Sequence, residues 1–246
     1  MQSFADSCNS VFGPIGARLG ARALLDVAQR YGFNTPLGIP GAATSTIPPA
    51  SLTDDLALGS SAIGQGEVQA TALQMAIVAA TIAEGGKRPV PTLQLGVTPR
   101  FVRVTSRRVA HEVSEMMDAV VKEGTGAAAQ ISGVDVAGKT GTAELRSTVP
   151  PPDGDDDNSD NSDSSSEDDV PDTDAWFVGY APEQTAKVTV GVMFSEAGAG
   201  GDVAAPAARE VLVTGLQQPL DQKPRGGVGT APASDASAPE NTNAAG

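Results

Sequence analysis

The stretch GVDVAGKTGTAE, residues 133–144, admits two incompatible chemistries. Gly133, Gly138, Lys139 and Thr140 satisfy G-x-x-x-x-G-K-[ST], the pattern of a loop that cradles phosphates. The same letters hold Lys139-Thr140-Gly141, which on a strand beside a cleft would present an ammonium, a hydroxyl and a bare backbone in a row. A phosphate loop needs a strand before its first glycine and a helix opening at its Lys-Thr, because the phosphate sits on that helix's free N–H groups. Here EGTGAAAQIS precedes Gly133 as a helix exit, and GTAELRSTVPPP follows, running into three prolines. The context excludes a phosphate loop, and Lys139 to Thr142 read as a strand.

A strand-borne ammonium beside a cleft attracts a carboxylate and can help move a proton off a nucleophile. Gly141 has no Cβ, so an extended peptide could lie against the strand as an added edge. The Thr140 and Thr142 hydroxyls could bind the carboxylate, and the Thr142 N–H could supply half an oxyanion hole. Alternation puts Lys139 and Thr142 on opposite faces, so both reach one site only along the strand margin. Ser7-Cys8-Asn9, just before a predicted helix, offers a hydroxyl for proton relay and an amide to hold a carbonyl. Each element also has a plain explanation. A strand lysine among small residues is usually solvated, and Ser7 or Asn9 could simply cap the helix that follows.

The 246 residues carry a formal net charge of −14. Residues 153–174 contain eleven Asp and Glu and no Lys or Arg, leaving −3 for the rest of the chain. A near-neutral remainder argues against a nucleic-acid partner. The single cysteine, Cys8, precludes an intrachain disulfide. There is no apolar run of about 18 residues to span a bilayer, and no leader pattern at Met1. The acidic stretch 153–174 and the Pro/Ala/Gly-rich tail 217–246 are predicted to be disordered, because neither can offset its ordering entropy by burial. The domain is then 1–216.

Periodicity predicts one helix over PIGARLGARALLDVAQRYGF (14–33), with Leu24, Val27, Ala28 and Tyr31 on its core stripe. A second runs from the N-cap Thr71 to the Gly85-Gly86 pair. A third lies within TSRRVAHEVSEMMDAVVKEG, with Val109, Val113, Met116 or Met117, and Val120 facing inward. A fourth, APAAREVLVTGL, closes the chain. Val134 and Val136 alternate up to Lys139, and DAWFVGYAP and AKVTVGVMF form a hairpin around Pro182 to Thr185. Helices followed by a small antiparallel sheet and a last helix make the fold α+β.

SCN (7–9), AIGQGEVQATALQMA (62–76), VAGKTGTAE (136–144) and DAWFVGYAP (174–182), in this order, resemble the transpeptidase domain of class B penicillin-binding proteins, most of all the penicillin-binding protein A type. The resemblance runs from about Phe4 to Leu216. It implies the penicillin-binding/β-lactamase-like fold and D,D-transpeptidation, in which a serine is acylated by a D-Ala-D-Ala stem peptide and the acyl group passes to a second stem. It further implies Ser7 as relay hydroxyl, Asn9 as substrate-amide clamp, Lys139 with Thr140, Gly141 and Thr142 on the carboxylate and oxyanion, and no cofactor or metal. The implied partners are peptidoglycan stem peptides, β-lactam antibiotics and cell-wall synthesis proteins. The implied location is the extracytoplasmic face of the membrane, with an anchor upstream.

The family's nucleophile belongs to S-x-x-K, and no lysine of this chain has a serine three residues before it. The expectation is a polypeptide that is the C-terminal part of a longer protein, inactive by itself, with apolar helix faces left uncovered where a central helix belongs. Two alternatives share S-x-N and K-T-G. A β-lactamase or β-lactam sensor should lack the AIGQGEVQATALQMA segment, and a silent scaffold would lack the nucleophile without truncation.

Asp156, Asn158, Asp160 and Glu167 approximate a calcium loop, but Asn161 replaces its glycine and prolines flank it, so a solvated insertion is the reading. His111, the only histidine, is predicted to face solvent, and Trp176, Phe177 and Tyr180 to pack within the strands. Cys8 could be a reactive thiol, though a single buried cysteine is more often inert. Gly64-Gln65-Gly66 reads as a turn before a helix; the resemblance places it near the site, without a chemical role.

Overall fold

The computed structural model describes residues 1–145 and 172–218. Residues 153–171, the calcium-like pattern and the tail from 219 lie outside them. Seven α-helices occur among the described residues: α1 (Gln2–Ala5), α2 (Asn9–Leu19), α3 (Ala21–Tyr31), α4 (Asp55–Ala62), α5 (Ala72–Ala83), α6 (Arg107–Glu123) and α7 (Ala204–Gln217). A two-stranded ribbon pairs β1 (Lys87–Pro89) with β2 (Phe101–Arg103), and a three-stranded antiparallel sheet runs in the order β3 (Ala137–Glu144), β4 (Thr173–Ala181), β5 (Val188–Phe194).

The sheet is the frame of the site. Register pairs Lys139 with Val178, Gly141 with Trp176 and Ala137 with Tyr180. Residues alternate between faces, so Ala137 and Tyr180 meet Ala79 and Ile82 of α5 and Met117 of α6 on one side. Ala175, Phe177 and Val190 meet Ala204, Ala208 and Leu212 of α7 on the other. Phe177 and Leu212 are fully buried, and burying such side chains contributes roughly 1.5–3 kcal/mol each. With β4 and β5 on one side of β3, its other margin pairs with no strand among the described residues.

The predicted α+β order holds, with adjustments. The helix expected over 14–33 is two helices, because Gly20 adopts φ 85°, outside any helical region. Pro14 lies inside α2, not near a helix start, and Val27 is exposed instead of core-facing. Thr71 and Ser106 cap α5 and α6 by accepting from the N–H groups of Gln74 and Val109. On α6 the buried stripe is Ala110, Ser114, Met117, Val120 and Val121, and Val109 is exposed. Val134 precedes β3 in an isolated bridge to Ile131. Thr173 and Asp174, at the end of the acidic stretch 153–174, belong to β4, and α7 extends to Gln217, the first residue of the predicted tail. The helices α1 and α4 and the β1–β2 ribbon carried no readable signal. On α2, Val11, Ile15 and Leu19 stand exposed on one stripe.

Candidate active site

Ser7 sits in an unusual turn. The Ser7 N–H donates to the Phe4 carbonyl and the Cys8 N–H to the Ser3 carbonyl, the paired bonds of a helix-ending Schellman motif. The position that such a motif gives to glycine is held by Ser7, with φ 56°. A non-glycine residue there costs on the order of 1 kcal/mol, and such strain concentrates where a side chain is needed in place. Ser7 is not a cap. Cys8 occupies the N-cap position of α2 and no side chain caps it, while Asn9 is the first helical residue. The plain explanation of S-x-N as a helix cap is therefore excluded.

The Ser7 hydroxyl accepts a hydrogen bond from the Lys139 ammonium at 2.8 Å. Lys139 leaves the α5/α6 face of β3 and curls around the open margin, where it also donates to the Thr140 carbonyl at 3.0 Å. The Phe4 ring lies 5.7 Å from the ammonium. Burial alone pushes the lysine down to about 8, and no carboxylate of the described residues pairs with it. A half-buried cation without an anion, at the mouth of a cleft, is poised to receive one.

Thr125 fixes the distance between the two halves. Its N–H and hydroxyl donate to the Ala5 carbonyl at the end of α1, and its hydroxyl lies 2.6 Å from that of Thr140. Gly124 permits this approach, because a Cβ there would strike the Ala5 carbonyl oxygen. From the turn at 199–202 the Gly200 N–H donates to the Thr142 hydroxyl at 3.3 Å. Gln65 reaches across from the end of α4. Its amide donates to the Thr142 carbonyl at 3.1 Å and accepts from the Glu144 N–H at 3.2 Å.

Phe4, Ser7, Asn9, Gln65, Thr125 and the strand from Lys139 to Thr142 line one cleft of about 650 Å³. That is within the range of small-ligand sites, roughly 300–1,000 Å³. Every site residue singled out in the sequence is in this cleft: Ser7, Asn9, Lys139, Thr140, Gly141 and Thr142. The two threonine hydroxyls, expected to be free for a carboxylate, already have partners in Thr125 and Gly200. The Gly141 position of a Cβ points at the Trp176 Cβ, 3.0 Å away, so its smallness serves cross-strand packing as well as access. The cleft also holds Gln65, which the resemblance places near the site without a role, and Thr125, which no motif marks. Gln65 gave only a turn signal, and Thr125 none, because both act through contacts with residues 77 and 15 positions away. His111 projects to solvent and lies 3.6 Å from Glu115.

The family model for the penicillin-binding protein transpeptidase domain matches residues 1–213. The chain is 34% identical over 240 residues to the peptidoglycan D,D-transpeptidase PbpA of Mycolicibacterium smegmatis, covering 88% of this chain and 44% of that protein. The crystal structure of PBPA from Mycobacterium tuberculosis superposes with TM-score 0.69 at 33% identity, covering 88% of this chain and 48% of that one. The penicillin G acyl-enzyme complex of penicillin-binding protein A from M. tuberculosis does so with TM-score 0.69 at 32% identity and the same two coverages. The chain spans less than half the length of these relatives. The helices on both faces of a three-stranded antiparallel sheet are those of the penicillin-binding/β-lactamase-like fold. The chain belongs to the penicillin-binding protein transpeptidase family.

Proposed function

We propose that the cleft binds the D-Ala-D-Ala end of peptidoglycan stem peptides, and β-lactams that mimic it, as part of a serine D,D-transpeptidase acting outside the cytoplasmic membrane. The observation that carries this is the unpaired Lys139 ammonium on the strand margin, 2.8 Å from the Ser7 hydroxyl. In this reading the ligand carboxylate meets Lys139 together with the Thr140 and Thr142 hydroxyls. Ser7 relays a proton between Lys139 and the reacting centre, and the Asn9 amide donates to the substrate amide carbonyl. The N–H and C=O of one antiparallel residue point the same way. The Thr142 N–H therefore shares the open margin with its carbonyl, where it can stabilise an oxyanion.

The attacking serine is proposed to come from polypeptide outside these 246 residues, since no S-x-x-K occurs within them. The relatives' names and the match of the transpeptidase model across residues 1–213, which includes the AIGQGEVQATALQMA segment, favour the transpeptidase reading over a β-lactamase, a sensor or a silent scaffold.

Two measurements on the 246-residue chain test the reading. Titration with diacetyl-L-Lys-D-Ala-D-Ala, followed by amide NMR, should shift Asn9 and Lys139 to Thr142, and amidation of the terminal carboxylate should abolish the shifts. A fluorescent penicillin should leave no label that survives denaturation. An unmoved Lys139–Thr142 strand, or a stable covalent label, would overturn the proposal.

A further inference from the structure

From its two bonds to the margin of β3, we infer that Gln65 is an internal peptide mimic, one that a strand-adding ligand must displace from Thr142. The inference rests on the ligand reading above and goes beyond it.

The Thr142 carbonyl and the Glu144 N–H lie on the margin of β3 that faces away from β4, where an extended ligand would pair. Both are occupied by one side-chain amide: Gln65 Nε2 donates to the Thr142 carbonyl and Gln65 Oε1 accepts from the Glu144 N–H. A primary amide is the chemical equivalent of a peptide group. One amide meeting a C=O and an N–H two residues apart reproduces what a neighbouring strand's backbone offers there. The next carbonyl along the same margin, that of Thr140, is held by the Lys139 ammonium. Both margin carbonyls are thus satisfied by side chains, and the two side chains differ in kind. Lys139 can turn to an arriving carboxylate without leaving the cleft, whereas Gln65 must yield its place at the Thr142 carbonyl to a ligand's N–H.

The local backbone suits a side chain that comes and goes. Gln65 is flanked by Gly64 and Gly66, with φ 82° and 68°, and its own N–H is tied to the Ser60 carbonyl at 2.9 Å. The turn is anchored to α4, and the exchange of partners falls on the half-buried side chain. Exchange of one amide donor for another at Thr142 leaves no buried group unsatisfied. The occupied margin therefore disfavours ligands that lack a backbone-like N–H at this position, which cannot replace the bond they break.

The experiment uses the full chain, diacetyl-L-Lys-D-Ala-D-Ala, and the variants Gln65→Ala and Gln65→Asn. Asn is one methylene shorter and cannot span both atoms. Each variant should bind the peptide roughly 3- to 10-fold more tightly than wild type, the size of one or two net hydrogen bonds no longer in competition. In the wild type the Gln65 side-chain amide signals should move to solvent-exposed positions in step with the Thr142 shift. Peptide-induced shifts at Lys139 and Thr140 with unmoved Gln65 side-chain signals would overturn the inference, as would binding by both variants no tighter than wild type. Silence at Lys139 and Thr140 in every form would overturn the ligand reading itself, and this inference with it.

Discussion

The Lys139 ammonium donates to the Ser7 hydroxyl at 2.8 Å, joining residues 132 positions apart. Neither side chain is placed by accident. Ser7 holds a left-handed position that its turn would give to glycine, and Lys139 bends off a sheet face to the strand margin. Strain on one side and desolvation on the other are both unfavourable to folding, and both are tolerated where one cleft is built.

The lysine's depressed pKa makes a prediction about pH. Burial lowers it from 10.5 to about 8 in the folded chain. Below about 8 both states carry the proton and the cost of burying charge is fully present. Between about 8 and 10.5 the unfolded chain binds more protons, so stability should rise with pH across that window. Urea midpoints of wild type and Lys139→Met from pH 7 to 10.5 check this. The rise should vanish in Lys139→Met, and an equal slope in both would refute the assignment. Affinity for a carboxylate ligand should move the other way, falling as pH climbs through about 8.

Much of this site could be read from the chain before its structure was known, and the boundary is physical. Strand β3 was legible because flanking prolines and a helix exit excluded the only rival, and α6 because Ser106 and Gly124 bracket a strong helical period. The contact of Ser7 with Lys139 was foreseeable only as a pairing of motifs. Its left-handed turn leaves no mark in composition, since serine fits any loop. The resemblance placed Gln65 near the site without a role, and Thr125 was invisible, because both act only through distant partners. The break at Gly20 was missed because glycine within a helical period is usually tolerated. The β1–β2 ribbon was missed because Lys87-Arg88-Pro89 contains no β-branched or aromatic residue.

Ser7 can be dissected by two substitutions. Ser7→Ala keeps the left-handed strain and removes the hydroxyl, and should lower stability by about 1 kcal/mol. Ser7→Gly also removes the hydroxyl but relieves strain on the order of 1 kcal/mol, so it should unfold within a few tenths of wild type. Chemical denaturation of the pair separates the two effects. Equal stability of the two variants would mean that the turn is unstrained.

Thr125→Val keeps the shape of the side chain and deletes the hydroxyl that meets Thr140 at 2.6 Å. The expected loss of stability is about 1 kcal/mol. A merely structural Thr125 would change nothing else. As a positioning residue it should also weaken carboxylate-ligand binding several-fold, and Thr125→Ser should restore it. Peptide titration of the three forms decides between these outcomes.

Tyr180 is fully buried, and its hydroxyl donates to Ser114 at 2.7 Å while Ser114 donates to Glu183. Burial pushes the phenol up to about 12, so it stays neutral throughout the range in which Lys139 titrates. Tyr180→Phe leaves the Ser114 oxygen without its donor. The cost should be roughly 1–3 kcal/mol, the penalty of a buried polar atom losing its partner. The midpoint should fall by the same amount at pH 7 and pH 9. A larger loss at the higher pH would show that the phenol ionises.

Gly200 tests the turn that packs against β3. Its N–H donates to the Thr142 hydroxyl, and a Cβ at this position would strike the carbonyl oxygens of Gly141 and Trp176. Those atoms belong to paired strands and cannot yield as a flexible side chain would. Gly200→Ala should therefore push the 199–202 turn away from β3 at a cost of about 1–3 kcal/mol, typical of overpacking. The displaced turn would release the Thr142 hydroxyl and widen the cleft. The predicted signature is a lower unfolding midpoint together with shifted Thr142 and Gly141 amide resonances. Full retention of the midpoint with an unshifted Thr142 would mean that the turn is not packed against the strand as described.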